Sequence, residues 1–205
     1  GETKTGMEIM KAGAETPKKV TLGLGRKSPN IVFADADLEA GVRAATVGIF
    51  YGKGEVCAAG SRLFVEKKIH DEFVEKLAER AKNLRIGDGL DESVEMGPVI
   101  NEGAVKKIAE YVQIGRDEGA NLLCGGVRLT KGEFGRGNFF APTVFSDGEP
   151  GMRLAQEAIF SPVLSTIPCD SLDQSIEIGN GVKDGLSSAI CTQDVNKAFI
   201  AMRDL

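Results

Sequence analysis

RLFVEKKIHDEFVEKLAERAKNL, residues 62–84, decides the fold. Arg62 to Glu66 is a short run of bulky apolar residues closed off by charge, the pattern of a buried strand. From Ile69 onward the apolar residues recur at helical spacing. Ile69, Phe73, Leu77, Ala81 and Leu84 make one stripe, with Glu72, Lys76, Glu79 and Arg80 on a solvated face. A strand running straight into an amphipathic helix is the repeating unit of a parallel sheet covered by helices.

The same alternation continues in both directions. Upstream, Asn30 to Ala34 reads as a strand, and Asp37 can cap a helix through Tyr51 with Leu38, Val42, Ala45 and Ile49 on one face. Lys18 to Leu24 reads as a further strand, and residues 4–14 as a helix. Downstream, Asp88 to Pro98 is a glycine-rich acidic loop, Ala104 to Glu118 a helix, Leu122 to Cys124 a short strand, and Thr130 to Asn138 a surface hairpin or loop. Strand signals return at Thr143–Phe145, Val163–Pro168 and Ser188–Thr192, and helical ones at Leu172–Gly179 and Asp194–Leu205. The expected class is α/β: a three-layer parallel sheet covered on both faces. No internal repeat is visible. Neither end carries its own start or stop signal, which reads as a piece cut from a longer α/β protein.

Composition narrows the partners. The chain has 205 residues, 42% apolar and 27% charged, so collagen-like and wholly disordered chains are excluded. A net charge of −5 without a long basic run argues against nucleic acid and anionic membrane. No apolar stretch approaches the roughly 18 residues of a membrane span, and the N-terminus shows no signal peptide. Cys57, Cys124, Cys169 and Cys191 are widely scattered and His70 is the only histidine, so neither a zinc site nor a disulfide framework is expected. Reduced thiols and a cytoplasmic location are the natural reading. His70, at the head of a helix, is expected at the surface.

Three segments invite a chemical reading. Gly23-Leu24-Gly25-Arg26-Lys27-Ser28 is glycine-rich, but Pro29 leads into a strand where a phosphate loop would open a helix, so it reads as a tight backbone crossing. Cys57 stands among Ala58, Ala59 and Gly60, between a helix and a strand. Small neighbours would let a carbonyl approach the sulfur and backbone N–H groups face an oxyanion. A buried, inert thiol is the competing reading. Cys124, Cys169 and Cys191, in apolar runs, read as core. Phe160, in QEAIFSPVL (156–164), would by itself be counted as core too.

At these segments the chain resembles the aldehyde dehydrogenase superfamily. KSPNIVFADADLE (27–39), GEVCAAGSRLFVE (54–66), MGPVI (96–100), FFAPTVF (139–145) and IFSPVLS (159–165) stand in the family order. The resemblance implies that Cys57 is the thiol that attacks an aldehyde, that the thiohemiacetal gives hydride to NAD or NADP, and that the thioester is hydrolysed. It also implies that Phe160 packs near the nicotinamide ribose. It makes residues 1–25 a remnant of the cofactor-binding domain and 26–205 a catalytic domain, incomplete at its C-terminus. No metal is implied.

Several positions depart from the family pattern. The family's L-E-L-G-G-K-S-P is here Leu22 to Pro29, with Gly23 in place of the deacylating glutamate and Arg26 in place of a glycine. Ala158 replaces the glutamate that holds the nicotinamide ribose, and Glu2 replaces the serine of G-S-T-x-x-G, bringing a carboxylate to where phosphate would come close. The expectation is a family fold whose NAD(P)-dependent aldehyde oxidation is impaired in this chain, with doubtful cofactor binding. Self-association through an open sheet edge is also expected. Two alternatives stand beside it: a pseudoenzyme acting as an interaction domain, and residual cysteine acyl transfer, such as ester hydrolysis, at Cys57.

Overall fold

The computed structural model describes residues 1–24, 27–183 and 185–205. Gly25 and Arg26, and with them the expected domain boundary and one departure from the family motif, lie outside the described residues. In chain order the elements are α1 (Thr3–Ala14), β1 (Pro29–Val32), α2 (Leu38–Phe50), β2 (Arg62–Glu66), α3 (His70–Lys82), α4 (Glu102–Asp117), β3 (Asn121–Cys124), β4 (Arg128–Leu129), β5 (Phe139–Phe140), β6 (Thr143–Ser146), α5 (Arg153–Gln156), β7 (Val163–Cys169), α6 (Leu172–Asn180), β8 (Ala189–Cys191) and α7 (Val195–Asp204). Four helices start where a short polar side chain accepts from the first turn: Asp37 from Ala40 N, Asn101 from Ala104 N, Ser171 from Gln174 N and Asp194 from Asn196 N.

One six-stranded sheet runs β3-β6-β7-β2-β1-β8. The pairs β6·β7, β7·β2, β2·β1 and β1·β8 are parallel, and the edge pair β3·β6 is antiparallel. The expected all-parallel sheet is thus corrected at one edge. Alternate residues feed opposite faces. Val32, Leu63, Val65 and Leu164 pack with Val42, Ile49, Phe73 and Leu77 of α2 and α3. Ile31, Phe33, Phe64 and Ile167 pack with Leu172, Ile178 and Leu205. A third cluster joins Val105, Ile108 and Val112 of α4 to Phe145 and Val163. Helices therefore cover both faces, and the three layers expected from the sequence are present.

Thr130–Asn138 is a hairpin connection: it joins β4 to β5, which pair antiparallel, and coils into a 3-10 turn at Gly132–Arg136. Two expectations fail. Lys18–Leu24 forms no strand, because β1 already has β2 on one side and β8 on the other, leaving that segment no place beside it. His70 is buried, 4% exposed, because it opens α3 on the side facing β3 and β6. Its Nδ1 lies 3.0 Å from Asp71 Oδ1, and Nε2 has no hydrogen-bond partner among the described residues. Among the described residues no helix is long and apolar enough to cross a membrane, and no cluster of His, Cys, Asp and Glu could hold a metal ion.

Candidate active site

α2 stops in an abrupt reversal. Gly52, Lys53 and Gly54 all take left-handed backbone angles, φ 58°, 61° and 68°. Glycine adopts these freely, whereas Lys53 does not. Two contacts hold the reversal. Lys53 Nζ lies 3.2 Å from Glu55 Oε2, and Glu55 Oε1 accepts from Ile100 N at 2.9 Å. A side-chain carbon on Gly54 would lie 2.1 Å from the carbonyl oxygen of Ser161, so only glycine lets the two segments touch. Beyond the reversal a turn closed by Ala59 N on Val56 O, 3.1 Å, carries Cys57 at its outer side. Cys57 is exposed and unpaired. Of its two sequence readings, the buried inert thiol is therefore excluded.

Cys57 faces a cavity of about 660 Å³, and Phe160 borders the same cavity. Phe160 is 45% exposed, not core, and sits at φ 62°. A non-glycine residue there stores roughly 1–3 kcal/mol of strain. Its neighbours Ile159 and Ser161 are buried and Ser161 abuts Gly54, so packing on both sides holds the strained residue and directs its ring outward. The thiol turn and the aromatic loop are thus set against each other by one glycine contact. Cys124 and Cys169 are buried and Cys191 half-buried, and burial pushes all three thiols up.

The positions that depart from the family motif are placed as follows. Gly23 is exposed, and open space surrounds the point where its side chain would begin. Ala158 borders the cavity, and its carbonyl accepts from Lys107 Nζ at 3.1 Å. The adjacent carboxylate, Glu157, is taken up. It accepts from Tyr111 Oη at 2.5 Å and from Arg153 Nε and Nη2, both at 3.0 Å. Those bonds, chiefly Arg153's, hold Glu157 below the usual carboxylate range. Burial first, then the hydrogen bond to Glu157, pushes Tyr111 up to about 12. Glu2 caps α1 without a side-chain hydrogen bond and borders the cavity from that side.

These groups fit a dinucleotide poorly. Ala158 offers only a methyl at the position that the family motif gives to a ribose-holding carboxylate, Glu157 is already bonded, and Glu2 would repel phosphate.

Two buried basic residues, Lys27 on this cavity and Arg62 bonded to its carbonyl, carried no assigned role in the sequence. Lys27 is 3% exposed and borders the cavity with Cys57. Arg62 is 1% exposed and donates Nε to Lys27 O (2.9 Å), Nη1 to Ile178 O (2.9 Å) and Nη2 to Gly179 O (2.8 Å). It ties β1's entrance to the end of α6. A basic residue opening each of two strands, just before an apolar run, was the available clue.

The whole chain, residues 1–205, matches the model of the aldehyde dehydrogenase family. It is 43% identical over 197 residues to betaine aldehyde dehydrogenase of Bacillus subtilis, covering 96% of this chain and 40% of that protein. It is 46% identical over 200 residues to human retinal dehydrogenase 2, covering 97% of this chain and 38% of that protein. The solved betaine aldehyde dehydrogenase of Staphylococcus aureus in complex with NAD+ superposes with a TM-score of 0.98 at 37% identity, over 100% of this chain and 41% of that one. The chain spans about two fifths of the length of these relatives. With that coverage, the chain belongs to the aldehyde dehydrogenase family.

Proposed function

We propose that this chain supplies the nucleophilic half of an NAD(P)-linked aldehyde-oxidising enzyme, with Cys57 as the thiol that takes the aldehyde. The observation that carries the reading is Cys57 itself, the one exposed thiol of four, lining a substrate-sized cavity together with Phe160. The thiolate adds to the carbonyl carbon, a C–S bond forms, and the carbonyl oxygen takes up a proton to give a thiohemiacetal. In the whole enzyme of this reading, NAD or NADP would supply the hydride acceptor. Residues 1–25 belong in this reading to the cofactor domain and 26–205 to the catalytic domain; α1 buries only Gly6, in keeping with a surface made to be covered. With Gly23 and Ala158 lacking carboxylates, this chain alone is impaired as a dehydrogenase.

The test is protection. A small aldehyde at millimolar concentration slows alkylation of Cys57 by iodoacetamide, and Cys57→Ala removes the label. An alkylation rate indifferent to aldehyde refutes the reading. A second reading, residual acyl transfer at Cys57, is favoured by the open thiol beside a cavity lacking those carboxylates; hydrolysis of an activated ester, lost in Cys57→Ala, tests it. Four unpaired thiols suit a reducing, cytoplasmic setting. The short edge strands β3 and β8 leave backbone groups free for self-association, which sedimentation at tens of micromolar tests.

A further inference from the structure

We infer that Lys27 is a second nucleophile of the Cys57 cavity, an amine placed to condense with a small aldehyde and hold it as an imine. The inference rests on the reading that this cavity admits aldehydes.

Three observations carry it. Lys27 borders the same cavity as Cys57 although only 3% of it is exposed, so the cavity is its main opening to a ligand. Among the described residues, no carboxylate pairs with its ammonium and no hydrogen bond engages Nζ; only its carbonyl is held, by Arg62. Arg62 is itself buried and bonded to the Lys27 carbonyl, so its positive charge acts on the amine with little screening by solvent. The other charged groups bordering the cavity do not relieve this. Lys4, Lys107 and Lys183 are cations, Glu157 is bonded to Tyr111 and Arg153, and Glu2 sits out at the cap of α1.

A lysine left dry beside another cation sheds its proton and becomes a nucleophile. Burial, reinforced by Arg62, brings Lys27 down to about 7, so its amine gives up a proton far more readily than a solvated lysine's. The step balances without an oxidant. The amine lone pair forms a C–N bond at the carbonyl carbon, the oxygen takes a proton, and the carbinolamine loses water to leave C=N. Lys27 and Cys57 then compete for one carbonyl, and the imine is a reversible store of aldehyde beside the thiol.

The experiment traps the imine. The chain is incubated with butanal and cyanoborohydride, and butylated lysines are located by peptide mapping. At pH 7 Lys27 is expected to lead every other lysine by at least tenfold, because a solvated lysine stays charged until about pH 10.4. At pH 10 that lead shrinks as the others lose their protons. Lys27→Arg removes the adduct, and Cys57→Ala retains it. The inference is overturned if Lys27 carries no adduct, or no more than the other lysines, at pH 7 in a preparation whose Cys57 alkylates and is protected by butanal. An adduct on Lys27 without protection of Cys57 would instead count against the thiol reading alone.

Discussion

Replacing Gly54 by alanine should uncouple the thiol turn from the aromatic loop, and Gly132 supplies the control. Both glycines are left-handed, φ 68° at Gly54 and 61° at Gly132. Alanine there costs about 1–2 kcal/mol of backbone strain at either site. At Gly132 nothing lies within 4 Å of the added carbon, so the cost ends there. At Gly54 the carbon meets Ser161 O at 2.1 Å and Ser161 C at 2.6 Å. Carbon and carbonyl oxygen normally approach no closer than about 3.3 Å. Relief requires moving the Ser161 peptide, an overpacking cost of about 1–3 kcal/mol. Gly54→Ala should thus lose about 2–5 kcal/mol and Gly132→Ala about 1–2. With a urea m-value of about 2–3 kcal/mol/M, the overpacking difference of about 1–3 kcal/mol separates the two midpoints by about 0.3–1.5 M. Because the displaced peptide follows Phe160, Gly54→Ala should also change the iodoacetamide rate at Cys57, while Gly132→Ala leaves it alone. Coincident urea midpoints would refute the contact between turn and loop as the source of the effect.

Other outcomes follow from the same site. Iodoacetamide should label Cys57 first, with the buried Cys124 and Cys169 reacting only after unfolding; mapping that finds either ahead of Cys57 removes the assignment. Arg62→Met, which strands three backbone carbonyls, should cost about 3–5 kcal/mol in thermal or urea unfolding, and Arg62→Lys should recover only part of it, since an ammonium cannot reproduce the fork. The folded chain should hold one phenol that ionises only near pH 12, lost from the ultraviolet titration of Tyr111→Phe. Because the folded value lies above the unfolded one of about 10, the unfolded chain releases this proton first, and Tyr111's contribution to stability is present below pH 10 and lost as pH rises towards 12. NAD should bind no tighter than millimolar by calorimetry, and Gly23→Glu with Ala158→Glu should not restore aldehyde-dependent NADH formation.

Periodicity carried the frame of this fold. β2 begins and ends where its apolar run does, and Phe73, Leu77 and Ala81 of the stripe lie on the buried face of α3, with Ile69 and Leu84 half-buried just beyond its ends, because both depend on neighbours close in sequence. The failures depend on distant neighbours. Lys18–Leu24 has strand-forming residues but no vacant sheet edge beside β1. His70 looks polar and peripheral until β3 and β6 close over it. The Cys57 turn was legible as a run of small residues, and Phe160 through the family motif. Its left-handed backbone was not legible, since it is imposed by a contact with Gly54 across more than a hundred residues. Lys27 was hidden for the same reason: its burial and its charged neighbour come from β2.

The strand order also bears on biosynthesis. β7 lies between β2 and β6 in the sheet, yet β2 ends at Glu66 and β7 begins only at Val163. At a translation rate of about 5–20 residues per second, the edge of β2 that receives β7 waits roughly 5–20 s for its partner. Leu63 and Val65, and Phe64 on the other face, are fully buried in the finished sheet, so through that interval the nascent chain presents an apolar strand with an open edge. Until β7 is made, that edge of β2 is open to pairing with any other strand it meets.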